Sequence, residues 1–278
     1  MFKNLLVHIP TERSVRAAVD GSVSLALTYG AHLDGVAIGY ESNNILFVTE
    51  GGAAVASIYE VEHQRAFERA NVALGVFEGA AKAAGLSYNC LAVCGAFAET
   101  SSVVSASARL HDLTIVTEPD SECDTYDNDI PQEILFEAGG PVLFMPHTFR
   151  GPFTASRIGI CWDGSRQAAR AVRDAMPFLV HASVSKVIAL NEPADSPARA
   201  SSAQLVARLA GDGLPAKAIS LMVERSDIQA TILSVAADEG LDLLVMGGYG
   251  HSRLQERILG GVTRDMLSCM TVPVLMSH

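Results

Sequence analysis

The chain repeats itself. Residues 157–172, RIGICWDGSRQAARAV, align without a gap to residues 4–19, NLLVHIPTERSVRAAV, at an offset of 153. Both stretches read as a short apolar strand, a turn, and the start of a helix with Ala and Val on one face. Downstream, Leu241-Asp242-Leu243-Leu244-Val245-Met246 matches His111-Asp112-Leu113-Thr114-Ile115-Val116, an acidic residue opening an apolar run in each. A third pair is Val272-Pro273-Val274-Leu275-Met276 and Gly140-Pro141-Val142-Leu143-Phe144. Three matches in one order imply duplication. The join falls in the Pro- and Gly-containing stretch Pro146–Phe153, so the expected units are residues 1–148 and 153–278.

Within each unit apolar runs alternate with helical patterns. The second copy predicts strands near 157–162, 186–190, 217–223, 241–246 and 272–276, with helices near 165–181, 198–211, 227–239 and 261–269. The first copy predicts strands near 3–9, 33–40, 88–93, 112–117 and 141–145, with a long excursion over 41–60 before a helix from Val61 to Ala84. Strands joined by crossover helices give a parallel sheet covered on both faces. The segment Glu118–Asp129 carries six acidic residues and reads as a solvated loop.

Charge excludes one class of function. A net charge of −11 leaves no Lys/Arg footprint for a general nucleic-acid surface. No apolar run approaches the roughly 18–20 residues a membrane helix needs, and Met1-Phe2-Lys3-Asn4-Leu5 has no signal-peptide layout. The chain reads as soluble and cytoplasmic. Five scattered cysteines with no CxxC pair suggest neither a disulfide framework nor a zinc site.

The segment that points to chemistry is Val245-Met246-Gly247-Gly248-Tyr249-Gly250-His251, followed by Leu259-Gly260-Gly261-Val262-Thr263. A strand ends in glycines, and a second glycine pair opens a helix. Glycine lets backbone approach a ligand closely, and a helix start presents unpaired N–H groups that suit phosphate. In open parallel sheets the ligand crevice lies beyond the carboxyl ends of the strands, where the winding reverses. There is no GxxxxGK[ST], and the dinucleotide fingerprint lacks its third glycine. Turn chemistry alone is the alternative explanation of these glycines, and four of them spaced along one crevice favour a ligand over it.

The spacing of Gly247, Gly250 and Gly260 resembles the G-x2-G-x9-G-(S/T) signature of the universal stress protein family. The family's strand–Asp–Gly–Ser start is matched by Trp162-Asp163-Gly164-Ser165 and its final strand by Val272-Pro273-Val274-Leu275. The resemblance implies two tandem Rossmann-like domains of flavodoxin-like strand order 3-2-1-4-5. It also implies an adenine nucleotide (ATP, ADP or AMP) in the C-terminal copy, with Mg²⁺ accompanying ATP. Carried over residue by residue, Asp163 contacts the adenosine and Asn191 or Glu192 lines the base. Met246 and Gly247 meet base and ribose. Gly250, Gly260, Gly261 and Val262 offer amides to the phosphates, with His251 and Thr263 nearby. Gly261 departs from the family's Ser or Thr, and the lost hydroxyl contact to a charged group is worth about 1.5–3 kcal/mol.

Plainer roles exist for several of these residues. Asp163 could simply cap the following helix, and His251, Arg253, Arg257 and Arg264 could be solvated surface. His8, in an apolar strand, reads as a satisfied core histidine. The first copy has Pro10 for Asp163 and Thr117-Glu118-Pro119-Asp120 for the first glycine group, so no nucleotide is expected there. Function then divides into a nucleotide-binding stress or signalling protein, an interaction scaffold of the same family that binds no nucleotide, and a slow ATP hydrolase or ligase-like enzyme. No sequence pattern supplies a nucleophile with a poised base, so catalytic residues and dedicated metal ligands are not expected. The last strand is an apolar edge that invites pairing. The two copies are therefore expected to form a pseudo-dimer within the chain, and chains to dimerise in turn.

Overall fold

The computed structural model describes residues 1–41, 52–120, 122–192, 200–248 and 262–278. In the first half β1 (Asn4–Ile9), β2 (His32–Tyr40), β3 (Tyr88–Gly95), β4 (Leu113–Thr117) and β5 (Val142–Met145) alternate with α1 (Arg16–Tyr29), α2 (Gly52–Ala83), α3 (Phe97–Ala108) and α4 (Ile130–Glu137). The second half repeats the plan: β6 (Arg157–Cys161), β7 (Val184–Leu190), β8 (Ala216–Leu221), β9 (Leu243–Gly247) and β10 (Val274–Ser277). Its helices are α5 (Arg166–Asp174), α6 (Met176–Leu179), α7 (Ser202–Gly211), α8 (Ile228–Asp238) and α9 (Val262–Cys269).

These strands form one sheet in the order β3-β2-β1-β4-β5-β10-β9-β6-β7-β8, so each half has the order 3-2-1-4-5. Every described pairing is parallel except one. β5 and β10 run antiparallel, with Phe144, Leu143 and Val142 opposite Val274, Leu275 and Met276. The duplicated segments thus pair with each other about a pseudo-twofold at Leu143 and Leu275. β10 has β9 on its other side and is interior, not an edge; the exposed ends of the sheet are β3 and β8.

Both faces of the sheet are covered, which is why the strands read as near-continuous apolar runs. Leu5, Val7 and Ile9 enter one apolar cluster with Leu25, Phe77, Leu205 and Val245. Leu6 points the other way, into a cluster with Val104, Ile134, Ile232 and Met266. Each cluster runs through both halves, Leu143 and Leu275 in the first and Phe144 and Val274 in the second. Phe2, Tyr29, Phe153 and Phe178 add an aromatic joint, with Phe178 at 5.0 Å from Phe2 and 5.7 Å from Phe153. Phe153, from the connecting stretch, is buried there.

The second repeated match has a structural reason. Asp112 accepts the main-chain N–H groups of Lys3 and Asn4 at 2.7 and 2.9 Å. Asp242 does the same for Ser156 and Arg157 at 3.0 and 2.8 Å. Each aspartate, opening the fourth strand of its half, clamps the start of the first.

Two expectations need correction. The long helix α2 begins at Gly52, nine residues before the expected start at Val61. The run Ala53-Ala54-Val55-Ala56-Ser57 favours helix well enough to extend it. The acidic segment Glu118–Asp129 is only partly a solvated loop: Glu122, Asp124 and Asp129 are exposed, but Glu118 and Asp127 are 2% and 0% exposed, and Tyr126–Asn128 forms a 3-10 turn.

Candidate functional site

Asp163, Asn191 and Gly247 stand at the carboxyl ends of β6, β7 and β9, which are neighbours in the order β7-β6-β9. From β6 the chain winds to β7 on one side and, later, to β9 on the other, so the crevice between them is the switch point of this half. The β6–α5 turn is built by three residues. Gly164 takes φ 72°, a conformation that favours glycine. Ser165 caps α5 by accepting the Ala168 N–H at 3.1 Å. Asp163 is exposed and its Oδ1 accepts the Ser165 N–H at 2.9 Å. The cap is therefore Ser165, and Asp163 orders the turn just before it.

Gly247 closes the other wall. A Cβ there would lie 2.6 Å from Ala168 N and 2.7 Å from the Gln167 carbonyl carbon, both main-chain atoms of the first turn of α5. The strand end and the helix start approach too closely for any side chain. Gly247→Ala should cost about 1–3 kcal/mol through forced backbone displacement, read as a lower urea midpoint at unchanged m-value.

Two of the other expected residues have their side chains committed elsewhere. Asn191, at φ 55°, holds Val223 with both ends of its amide, donating to its carbonyl and accepting its N–H at 2.8 Å each. Glu192 accepts the Ser202 N–H and hydroxyl at 2.5 and 2.6 Å, at the start of α7. Met246 is 5% exposed and its side chain belongs to the core, so only its main chain faces the crevice end of β9. Val262 and Thr263 open α9, Thr263 buried. Gly250, His251, Gly260 and Gly261 lie outside the described residues. Trp162, which the sequence reading did not single out, donates its indole N–H to the Ala200 carbonyl at 2.8 Å and ties the β6 end to the approach of α7.

The matching crevice of the first half is bridged by the chain's own side chains, beside a cavity of about 510 Å³ lined by Pro10, Thr11, Arg13 and Arg69 among others. Asp127 reaches across it, its carboxylate accepting the N–H groups of Thr11 and Glu12 at 2.9 and 2.8 Å and the Tyr40 hydroxyl at 3.0 Å. Arg13 donates to the carbonyls of Glu118, Thr117 and Asp127, the last two at 3.1 and 3.3 Å. Burial, then the nearby Asp127, push the Tyr40 phenol well above its usual range. Burial also raises the Glu118 carboxyl, although it accepts from His147 Nδ1 at 2.6 Å. His8 sits beneath, 0% exposed, with Nε2 3.8 Å from Asp127 Oδ1. It is buried but not satisfied: among the described residues neither ring nitrogen has a hydrogen-bond partner, which corrects the expectation of a satisfied core histidine. Glu118 Oε2, Thr117 Oγ1 and Arg13 Nε are likewise buried without partners.

The sequence model of the universal stress protein family matches residues 154–278. This half of the chain is a universal stress protein domain. Among curated proteins, Universal stress protein Slr1230 of a Synechocystis species is 27% identical over 152 residues, covering 52% of this chain and 49% of that protein. Universal stress protein MJ0577 of Methanocaldococcus jannaschii is 41% identical over 44 residues, 16% of this chain and 27% of that protein. The matched stretches thus span about half and about a quarter of those two relatives. Among solved structures, a universal stress protein from Archaeoglobus fulgidus superposes over 98% of this chain and 97% of its own, at TM-score 0.72 and 14% identity. That likeness shows that the whole chain, first half included, has the fold of such proteins.

Proposed function

We propose that the universal stress protein domain, residues 153–278, binds an adenine nucleotide beyond the ends of β6, β7 and β9. The first half, residues 1–148, is a degenerate copy without a nucleotide site. The protein then works as a cytoplasmic stress or signalling component whose states differ in nucleotide affinity. The contrast between the two crevices carries this reading. In the first half Arg13, Glu118 and Asp127 occupy the space between turn and strand end. In the second half the aligned positions include Gly164 and Ser165 for Thr11 and Glu12, and Gly247 and Gly248 for Thr117 and Glu118. Glu118 is replaced by Gly248 while Arg13 keeps an arginine at Arg166, and Asp163 stands exposed at the rim.

The residues fit an adenosine phosphate in part. Asp163 would take the adenosine and the main chain at Met246–Gly247 would flank it. The amides from Gly250 to Thr263 would hold phosphate, with Mg²⁺ carried on a triphosphate. Asn191 would contribute shape and main chain, since its amide is engaged by Val223.

Calorimetry on the full chain with ATP and with AMP tests the reading. We expect one site per chain with a dissociation constant below millimolar, lost in Gly250→Asp, which places a carboxylate among the phosphate-binding amides. Binding weaker than millimolar for every adenine nucleotide would favour the scaffold reading, toward which the missing hydroxyl at Gly261 leans. Association between chains, also part of the proposal, would have to use β3, β8 or a helical face, because β5 and β10 are already paired.

A further inference from the structure

The opposite end of the sheet carries a constellation with a different chemistry. His32 opens β2, and Ser87 immediately precedes β3, whose Tyr88 and Asn89 pair with Leu33 and Asp34. The Ser87 hydroxyl lies 2.7 Å from His32 Nδ1, and His32 Nε2 lies 2.7 Å from Asp34 Oδ1. Asp34 is braced twice more: Asn89 Nδ2 donates to Oδ1 at 2.9 Å, and His111 Nε2 lies 2.9 Å from Oδ2. A hydroxyl, an imidazole and a carboxylate in line are the parts of an activated nucleophile, its base and the group that orients the base.

The proton positions follow from the partners. His111 Nδ1 faces the Ser107 carbonyl at 2.8 Å and its Nε2 faces the Asp34 carboxylate, so His111 meets an acceptor at each ring nitrogen. Although partial burial acts to raise it, hydrogen bonds from His111, Asn89 and His32 hold the Asp34 carboxyl below its usual range, as the acceptor. The proton of a neutral His32 then belongs on Nε2, facing the carboxylate. The Asn89 amide nitrogen, also 2.9 Å from Nε2, would favour the other tautomer. A bond to an ionised acceptor is about twice as strong as a neutral one, so the carboxylate decides. His32 Nδ1 is left with its lone pair directed at the Ser87 hydroxyl. Among the described residues no three metal-ligating side chains are placed to hold an ion. Ser87 is exposed, so the hydroxyl is reachable.

We propose that Ser87 is a nucleophile, activated by His32 and oriented through Asp34, that accepts acyl groups from small activated esters. Its oxygen attacks the carbonyl carbon while the hydroxyl proton passes to His32 Nδ1. The bond to the leaving alkoxide breaks, the alkoxide takes that proton, and Ser87 carries the acyl group until water removes it by the reverse relay. His32 is the catalytic base, and Asp34 is a positioning residue. The reaction is independent of the nucleotide crevice, which lies beyond the other ends of the strands.

The test uses the full chain with p-nitrophenyl acetate and with diisopropyl fluorophosphate, whose phosphorus bonds to the serine oxygen as fluoride leaves. We expect one adduct by intact mass, mapped to the peptide containing Ser87 and absent in Ser87→Ala. Loss of a positioned general base costs about 10²–10⁴ in rate, so labelling should slow at least 100-fold in His32→Gln. Asp34→Asn, which sets the wrong tautomer, should slow it comparably. Circular dichroism establishes that each variant is folded. No adduct on the wild-type chain, an adduct mapped elsewhere, or an unchanged rate in folded His32→Gln would overturn the proposal. The wild-type labelling decides even if a variant fails to fold.

Discussion

Asp127→Ala is expected to destabilise the chain by about 3–5 kcal/mol, more than an ordinary surface or loop substitution. Asp127 is 0% exposed, and three donors converge on its carboxylate: the N–H groups of Thr11 and Glu12 and the Tyr40 hydroxyl. Removing the acceptor leaves the buried Tyr40 hydroxyl and the part-buried Thr11 and Glu12 amides without it, at about 1–3 kcal/mol for each that stays unpaired, before relaxation. Water entering the vacated space would recover some of this, which keeps the total nearer the cost of breaking one buried charged network. Asp127→Asn preserves volume but turns one acceptor into a donor, facing either the two amides or the phenol. It should cost about 1–3 kcal/mol. Urea denaturation of the two variants checks both values. A loss below about 1 kcal/mol for the alanine would mean that Asp127 does not bridge the crevice.

That network also marks where sequence reading stops. The duplication was legible in local pattern, the apolar runs, turn glycines and repeated Val/Pro/Leu strand; the strand order within each half came with the family resemblance, and the pairing of the two copies with the apolar last strand. The acid before β4 and β9 was visible as a match, although its role as a clamp on β1 and β6 needed coordinates. The filling of the first crevice was only half visible. Glu118 and Asp120 announced that phosphate would be unwelcome, but the residue that reaches across is Asp127, bonded to Thr11 over a separation of 116 residues. A run of six acids looks like a solvated surface because burying a carboxylate is costly unless donors wait for it. Here the donors are main-chain amides and a tyrosine hydroxyl, invisible to any scan of charge. The same limit hid the Ser87 relay, since no spacing rule connects His32 to a serine 55 residues away. Legibility failed differently at Asn191. The strand-end position was right, but its side chain serves Val223, a structural duty that a family pattern does not specify.

His8 should make the stability of the chain fall with pH in a defined window. Its pKa is lowered from 6.5 to about 4, first by burial, with Asp127 opposing and Arg13 adding to the shift. The unfolded chain therefore takes up a proton below pH 6.5, while the folded chain refuses it until about pH 4. Stability rises with pH wherever the unfolded state binds more protons. This contribution is complete above pH 6.5 and is lost as the pH falls toward 4. By that linkage the loss between pH 7 and pH 4.5 is about 2.5 kcal/mol. Carboxylates titrate in the same range, so the quantity to measure is the difference between the wild-type chain and His8→Leu. Leucine fills similar space and has no ring nitrogens to leave unpaired, and it removes the proton uptake. The variant should match or exceed the wild type at pH 7, and its advantage should grow by about 2.5 kcal/mol at pH 4.5. Parallel stability curves for the two proteins across that interval would mean that His8 is hydrated in the folded chain.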